Sequence, residues 1–396
     1  MELVKWKQLD DGNITSINGK YYYFNDTAKE ILVHLIKTGK PIATVDYISN
    51  KYGLSEEESI KWVNAVNRNY DEIDQYYSEV HKLESPLKVQ WKITEQCNLR
   101  CMHCYNGTTC EKTFDLDKIN VIADKICEWD VFEVTLTGGE IFTVPNIQSI
   151  MKKLLDRNIK ITLFTNGTLI FPYLDFLQKY SSMLHVNISI DGIKEYHDQI
   201  RGMGTFDLAI RAIKEMKKRG IKVTTNTVIA KLNYGQMDKL INQLSNYDVN
   251  IQFSHLIIKG NAAKNKNVLL MNEEENKKFK NIIIKACSIK PNLKIYYSDN
   301  IEEDGKILEI NGNKISEMEE DWRCCAGLSR VTIMPNADVL ACPFFTEYKL
   351  GNLVVDNIDD IWFSEGRKEF LKFSKQYNLG RYCIAYKFGR VLDKNE

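Results

Sequence analysis

Short apolar runs rich in β-branched residues recur through the middle of the chain, at 89–94, 133–137, 160–165, 186–190, 222–229 and 250–258. Between them lie stretches with helical amphipathic spacing, at 115–129, 144–157, 205–219 and 234–246. Repeated strand-then-helix units predict a parallel sheet with its helices outside it. Right-handed crossovers curl such a sheet into a partial barrel. The expected class is therefore α/β, a partial (βα)6 barrel over residues 83–298, with reactive loops at the C-terminal ends of its strands.

The flanks follow other patterns. In residues 1–82, strand-like segments at 12–16 and 20–24 surround Asn18-Gly19, the signal of a hairpin with a type I′ turn. Asn25-Asp26 caps a helix through 28–37, and a second helix starts near Val45-Asp46. After a turn at 52–54, Ser55 and Glu58 form a capping box for a third helix. A small sheet with three helices predicts a winged helix–turn–helix domain. DNA is a poor partner for it, because Glu56-Glu57-Glu58 and Asp71-Glu72-Ile73-Asp74 are acidic and no basic stripe lies along the third helix. An acidic bridge, 299–320, leads to a small α+β domain at 321–396.

Composition narrows the function classes. The 396 residues carry 53 basic and 53 acidic side chains, so no global field recruits nucleic acid or a membrane. No apolar stretch is long enough to span a bilayer, and the N-terminus lacks a signal-peptide core. The expected compartment is the cytoplasm, where the ten cysteines read as metal ligands before disulfides. Cys127 and Cys287 fit buried helix positions; Cys110 has no partner spacing and is a weak candidate for a radical-quenching thiol.

The chemistry concentrates just after the first run. Cys97, Cys101 and Cys104 are spaced C-x3-C-x2-C. Three thiolates on one loop can hold three irons of a cubic cluster and leave the fourth open to a small molecule. Zinc is the rival reading, but it asks for a closed tetrahedron, and His103 is wedged between two of the cysteines. At the ends of later runs stand Gly138-Gly139-Glu140, Asn166 in Thr165-Asn166-Gly167, and Ser189 with Asp191; Arg201 follows in Ile200-Arg201-Gly202. Taken singly, these are ordinary turn residues.

Taken in order, C-x3-C-x-His-C-Tyr and Gly-Gly-Glu resemble the radical S-adenosylmethionine (SAM) enzymes, whose fold is a TIM-like partial barrel. The resemblance implies a [4Fe–4S] cluster on Cys97, Cys101 and Cys104, with SAM cleaved at the open iron to a 5′-deoxyadenosyl radical. It assigns His103, Gly138, Gly139, Glu140, Asn166, Ser189, Asp191 and Arg201 to the cofactor site. There Glu140 meets the SAM ammonium and Arg201 its carboxylate, while the two glycines let the backbone approach a ligand closely. Residues 18–31 resemble the recognition element of ribosomal-peptide biosynthesis, in which a leader peptide adds a strand to the second hairpin strand and rests on the third helix at 56–66. Cys324-Cys325-Ala326-Gly327, the stretch from Val331 to Pro343 with Asn336 at its tip, and Cys383 resemble a shortened SPASM or twitch extension. Tyr386 stands where a further ligand is expected. One auxiliary [4Fe–4S] cluster is implied, on Cys324, Cys342 and Cys383 with Cys325 as candidate fourth ligand.

The function implied is maturation of a precursor peptide, foremost by a thioether from a Cys sulfur to a peptide carbon. Carbon–carbon or carbon–oxygen macrocyclisation comes next, then epimerisation or decarboxylation. The expected partners are the precursor peptide and an electron donor such as a flavodoxin or ferredoxin. A radical SAM enzyme for a small molecule is the alternative, and a cluster-free regulator is a third.

Overall fold

The structure, a computed structural model, describes residues 5–9, 12–17, 20–68, 71–73, 83–107, 115–290, 293–298, 308–311, 314–317 and 324–376. Two compact units result, Met1–Glu84 and Ser85–Glu396.

In the first unit, strands β1 (Trp6–Leu9), β2 (Gly12–Ile17), β3 (Lys20–Phe24) and β4 (Asp71–Ile73) form an antiparallel sheet in that order. Helices α1 (Asp26–Thr38), α2 (Pro41–Tyr52) and α3 (Glu56–Arg68) pack on it. The Asn25 side chain accepts from the Ala28 amide at 2.8 Å, and Ser55 and Glu58 exchange their capping bonds at 3.0 and 3.3 Å. Helix α2 begins at Pro41 rather than near Val45, because a proline in the first turn forfeits no intrahelical bond. Phe24, Ile31, Leu32, Val45, Ile48, Val63 and Val66 make the core. Asn18-Gly19 lies outside the described residues. Strand β4 pairs Asp71 with Tyr23 and Ile73 with Tyr21, so the edge of β3 expected to receive a leader is covered by the chain's own backbone.

The second unit is built on a 12-stranded sheet. Its centre is six parallel strands: β5 (Lys88–Thr94), β6 (Glu133–Gly138), β7 (Lys160–Thr165), β8 (Leu184–Ser189), β9 (Lys222–Ile229) and β10 (Asn250–His255). The α/β expectation holds here. Beyond β10, β11 (Ile295–Ser298) continues in parallel, and β12 (Leu308–Asn311) and β13 (Lys314–Glu317) add antiparallel. Two strands thus come from the segment expected to be only a bridge. On the other side β14 (Arg330–Ile333) pairs in parallel with β5, and β15 (Asp338–Leu340) and β16 (Lys349–Asn352) follow antiparallel. The cysteine-bearing tail therefore extends the barrel sheet and does not stand apart from it.

The parallel strands have two different faces. Val134 and Leu136, Ile161 and Leu163, and Ile251 and Phe253 are buried alternately on one of them. This face meets the helices: Phe279, in the helix Glu273–Ile289, stacks edge-on against Phe253 at 5.4 Å and Tyr297 at 5.3 Å. The other, inner face carries Gln90, Lys92, Thr135, Thr137, Asn187 and Asn226. It is polar, a surface suited to a ligand and not to a dry core.

Candidate active site

The cysteine loop leaves the end of β5 and is fixed from three sides. Its stem is clamped by the turn after β6: Gly139 N–H donates to Thr94 O and Glu140 N–H to Gln96 O, both at 2.8 Å. A Cβ on Gly138 would lie 2.3 Å from Thr94 O, and one on Gly139 2.1 Å from Gln96 O. Both glycines let this turn press on the stem of the cysteine loop. The middle of the loop is held by Ile200, whose carbonyl accepts from Met102 N–H at 2.9 Å. Its far side is held by Asn261 and Asn265, whose side-chain amides donate to Cys101 O and Met102 O at 3.1 Å each. Gly260 makes that approach feasible, since with φ of +57° a Cβ there would fall 2.5 Å from Gly107 N and from Tyr105 O.

Glu140 is completely buried and its carboxylate accepts from Asn166 N–H at 2.8 Å, the Thr165 hydroxyl at 2.7 Å and Phe142 N–H at 3.2 Å. Burial pushes its carboxyl up, against the pull of these bonds. In this geometry it locks the β6 turn to the end of β7. Asn166 donates to Asn98 Oδ1 at 2.9 Å and lies 4.0 Å from the Cys97 sulfur, and Asn98 in turn donates to Thr168 at 2.8 Å. Ser189 ends β8 in register with Asn226.

The densest charge cluster lies beneath Cys101. Asp191, with no exposed surface, pairs with Arg201 Nε and sits 2.9 Å from His103 Nε2, and it accepts from Val228 N–H at 2.9 Å. Arg201 Nη1 reaches to 3.9 Å from the Cys101 sulfur. Burial alone would raise Asp191; the Arg201 and His103 charges outweigh it and hold the carboxyl far below the carboxylate range. Burial likewise pushes the Cys101 thiol up to about 11, with Arg201 opposing it. His197, absent from the sequence reading, accepts from Asp191 N–H at 3.2 Å through Nδ1. Asp191 and Arg201 are thus engaged in bracing the loop, whatever else they contact.

The donor set fits an iron–sulfur cluster. Cys97, Cys101 and Cys104 are free thiols on one braced loop, and the buried Nδ1 of His103 has no partner among the described residues. The described His, Cys, Asp and Glu side chains do not converge three at a time on one ion-sized point. A cluster asks for something else, with each thiolate on a different iron.

In the tail, the β14–β15 hairpin turns at Asn336 and Ala337, whose φ is +70°. The Cys325 carbonyl accepts from Arg330 N–H at 3.1 Å at the start of β14, and Cys342 follows the end of β15. Antiparallel pairing sets the end of β15, which Cys342 follows, beside the start of β14, where the Cys325 carbonyl is bonded. Cys383, Tyr386 and Cys110 lie outside the described residues. Tyr105 joins the two cysteine regions: it packs edge-on against Phe344 at 5.2 Å, and burial, with Cys104 next, raises its phenol to about 12. Cys127 and Cys287 sit in helices away from these groups.

A parallel α/β sheet with a braced three-cysteine loop on its first strand and a second cysteine group on the adjoining hairpin defines a radical SAM enzyme with an auxiliary cluster domain. Residues 91–244 match the Radical SAM superfamily, and residues 324–384 match the iron–sulfur cluster-binding domain SPASM. The first binds SAM and a [4Fe–4S] cluster, and the second binds auxiliary iron–sulfur. The chain is 25% identical over 292 residues to the mycofactocin maturase MftC of Mycolicibacterium smegmatis, covering 71% of each. It is 26% identical over 287 residues to the subtilosin biosynthesis protein AlbA of Bacillus subtilis, covering 70% of this chain and 60% of that one. An Fe-coproporphyrin III synthase of Methanosarcina barkeri is 25% identical over 312 residues, covering 74% of this chain and 78% of that one. Among solved structures, Streptococcus suis SuiB bound to its precursor peptide SuiA shares the fold, with a TM-score of 0.67, 16% identity and coverage of 97% of this chain and 94% of that one. No helix among the described residues is long and apolar enough to cross a membrane.

Proposed function

We propose that the chain matures a ribosomally made precursor peptide, forming an intramolecular thioether between a Cys sulfur and a peptide carbon. The observation that carries the peptide reading is the pairing of a braced three-cysteine loop with a polar inner face. The first unit, read as a winged helix–turn–helix, is the complementary feature that engages a leader. When bound, the cofactors supply a hydrogen-abstracting 5′-deoxyadenosyl radical at the loop and an electron sink at the tail. The chain's own residues bind, orient and exclude water. Cys97, Cys101 and Cys104 hold the cluster, and Asp191 and Arg201 fix the loop that carries them. Asn166, Ser189 and Glu140 set the walls at the ends of β6, β7 and β8. The leader takes the edge of β3 by replacing β4, a three-residue strand that holds its place with few backbone bonds. A flavodoxin or ferredoxin supplies the reducing electron, and the reaction belongs in the cytoplasm.

The test is incubation of the reconstituted enzyme with SAM, dithionite and the precursor peptide encoded beside its gene. Loss of two hydrogens together with one free thiol is the thioether result. Loss of two hydrogens with thiols intact replaces it by a carbon–carbon or carbon–oxygen link. Loss of carbon dioxide, or solvent deuterium at an inverted centre, replaces it by decarboxylation or epimerisation. An unchanged peptide overturns the reading. The likeness to Fe-coproporphyrin III synthase keeps a small-molecule substrate as the second reading, which deletion of the first unit would leave active.

A further inference from the structure

The inner face of the barrel strands is close to electrically one-sided. Glu133 is the one acidic residue in β5 to β10, and it is spoken for by Lys88 at 3.3 Å and the Thr162 hydroxyl at 2.8 Å. Other inner groups also pair across strands, His185 with Thr224 at 2.8 Å and Asn226 with Ser254 at 2.7 Å. Lys92 is different. Its side chain is 7% exposed, yet among the described residues its ammonium has one partner, Glu95 at 2.9 Å. An ammonium has three protons to donate, so two are left without an acceptor among the described residues. Glu95 stands past the end of the strand with its side chain 45% exposed, so water can take it over when Lys92 finds another anion.

Position adds a second observation. The β5–β6 register slips between Lys92 and Thr94, a bulge of the kind that re-aims side chains beside active sites. Lys92 pairs in register with Thr137 on the inner face, and Cys97 follows five residues later, at most about 17 Å along the chain. A charge held there lies under the cysteine loop, within the body of the barrel.

We infer that Lys92 is a specificity-determining residue that receives a side-chain carboxylate of the substrate, from an Asp or a Glu of the core peptide, in exchange for Glu95. The inference rests on the peptide reading above. It is tested by retaining a capped random octapeptide library on the immobilised, anaerobically reconstituted full chain in the presence of SAM and sequencing what is held. The expected result is enrichment of Asp and Glu by about tenfold at one position, lost in Lys92→Met. In Glu95→Gln the enrichment rises, because the competing carboxylate is gone. Enrichment without an acidic preference, or an acidic preference that survives Lys92→Met, overturns the inference and leaves the peptide reading standing. If no peptide is held, glutarate binding followed by ligand-observed NMR separates the remaining cases. Glutarate bound only when Lys92 is present keeps the carboxylate site and removes the peptide; no binding of either overturns both. Circular dichroism of Lys92→Met against wild type guards against misfolding, and Lys92→Arg, which keeps the charge, restores the preference if the protein is folded and the inference right.

Discussion

Two carboxylates in this chain gather nearly the same company. Glu30, in the first unit, accepts from Tyr47, Lys51 and, at 2.6 Å, Tyr52. Asp191, in the second, accepts from Arg201, His103 and a backbone N–H. The difference is water. The Glu30 side chain is 25% exposed and its partner Lys51 45%, whereas Asp191 has no exposed surface and Arg201 keeps 10%. A pair in water can lose one member and let solvent replace it. A pair taken out of water cannot, and losing one member strands a buried charge. The first network fastens two helices; the second fixes the loop on which the chemistry depends.

The sharpest way to break the comparison is Asp191→Asn. It should cost roughly 3–5 kcal/mol of stability and lower iron content on reconstitution, measured by denaturant unfolding and iron assay. Joining it to Arg201→Gln should cost less than the two singles together, since the second change removes the stranded charge. Equal costs for Asp191→Asn and Glu30→Gln would remove the distinction.

Acid should separate the two regions next. Burial, with Arg201 helping, lowers the buried His197 from 6.5 to about 4. Above the higher value both folded and unfolded states are neutral there. As pH falls through 6.5 towards 4, the unfolded chain takes up a proton that the folded one refuses. The second unit therefore loses up to roughly 3 kcal/mol across that window, read as a falling urea midpoint. His197→Gln should flatten this limb. Glu30, lowered from 4.5 to about 2 chiefly by its bond from Lys51, acts later: its contribution is present above 4.5 and fades as pH falls towards 2.

Gly260→Ala comes third. Its Cβ meets backbone atoms of the cysteine loop at 2.5 Å with φ at +57°, so a loss of about 1–3 kcal/mol and partial iron loading should follow. Glu30→Gln is the smallest change, about 0–1 kcal/mol and less in high salt, with iron content unaltered.

What the sequence made legible was periodic and local. The six runs coincide with β5 to β10 to within a few residues, and the amphipathic stretch at 115–129 is the helix Leu116–Glu128. The three cysteines announced their loop by spacing alone. The long helix Glu273–Ile289 was read only at Cys287, although its capping box, Asn272 with Glu275, is written in the chain. Other features had no local signal. Strand β14 is four residues long, and nothing in Arg330–Ile333 says that it will pair with β5. Asn261, Asn265 and Gly260 reach the cysteine loop only because β10 carries them there, and His197 reaches Asp191 from the next helix. The two glycines before Glu140 were readable as a close approach, but the atoms approached are those of the loop stem.

The central claim is that the loop of Cys97, Cys101 and Cys104 carries a SAM-cleaving cluster and the tail carries a second one. Anaerobic reconstitution with iron and sulfide, iron counting, and assay of 5′-deoxyadenosine under dithionite test it most directly. The account predicts about eight irons per chain with SAM cleavage, falling to about four without cleavage in Cys101→Ala. A wild-type chain that loads iron yet releases no 5′-deoxyadenosine would contradict it.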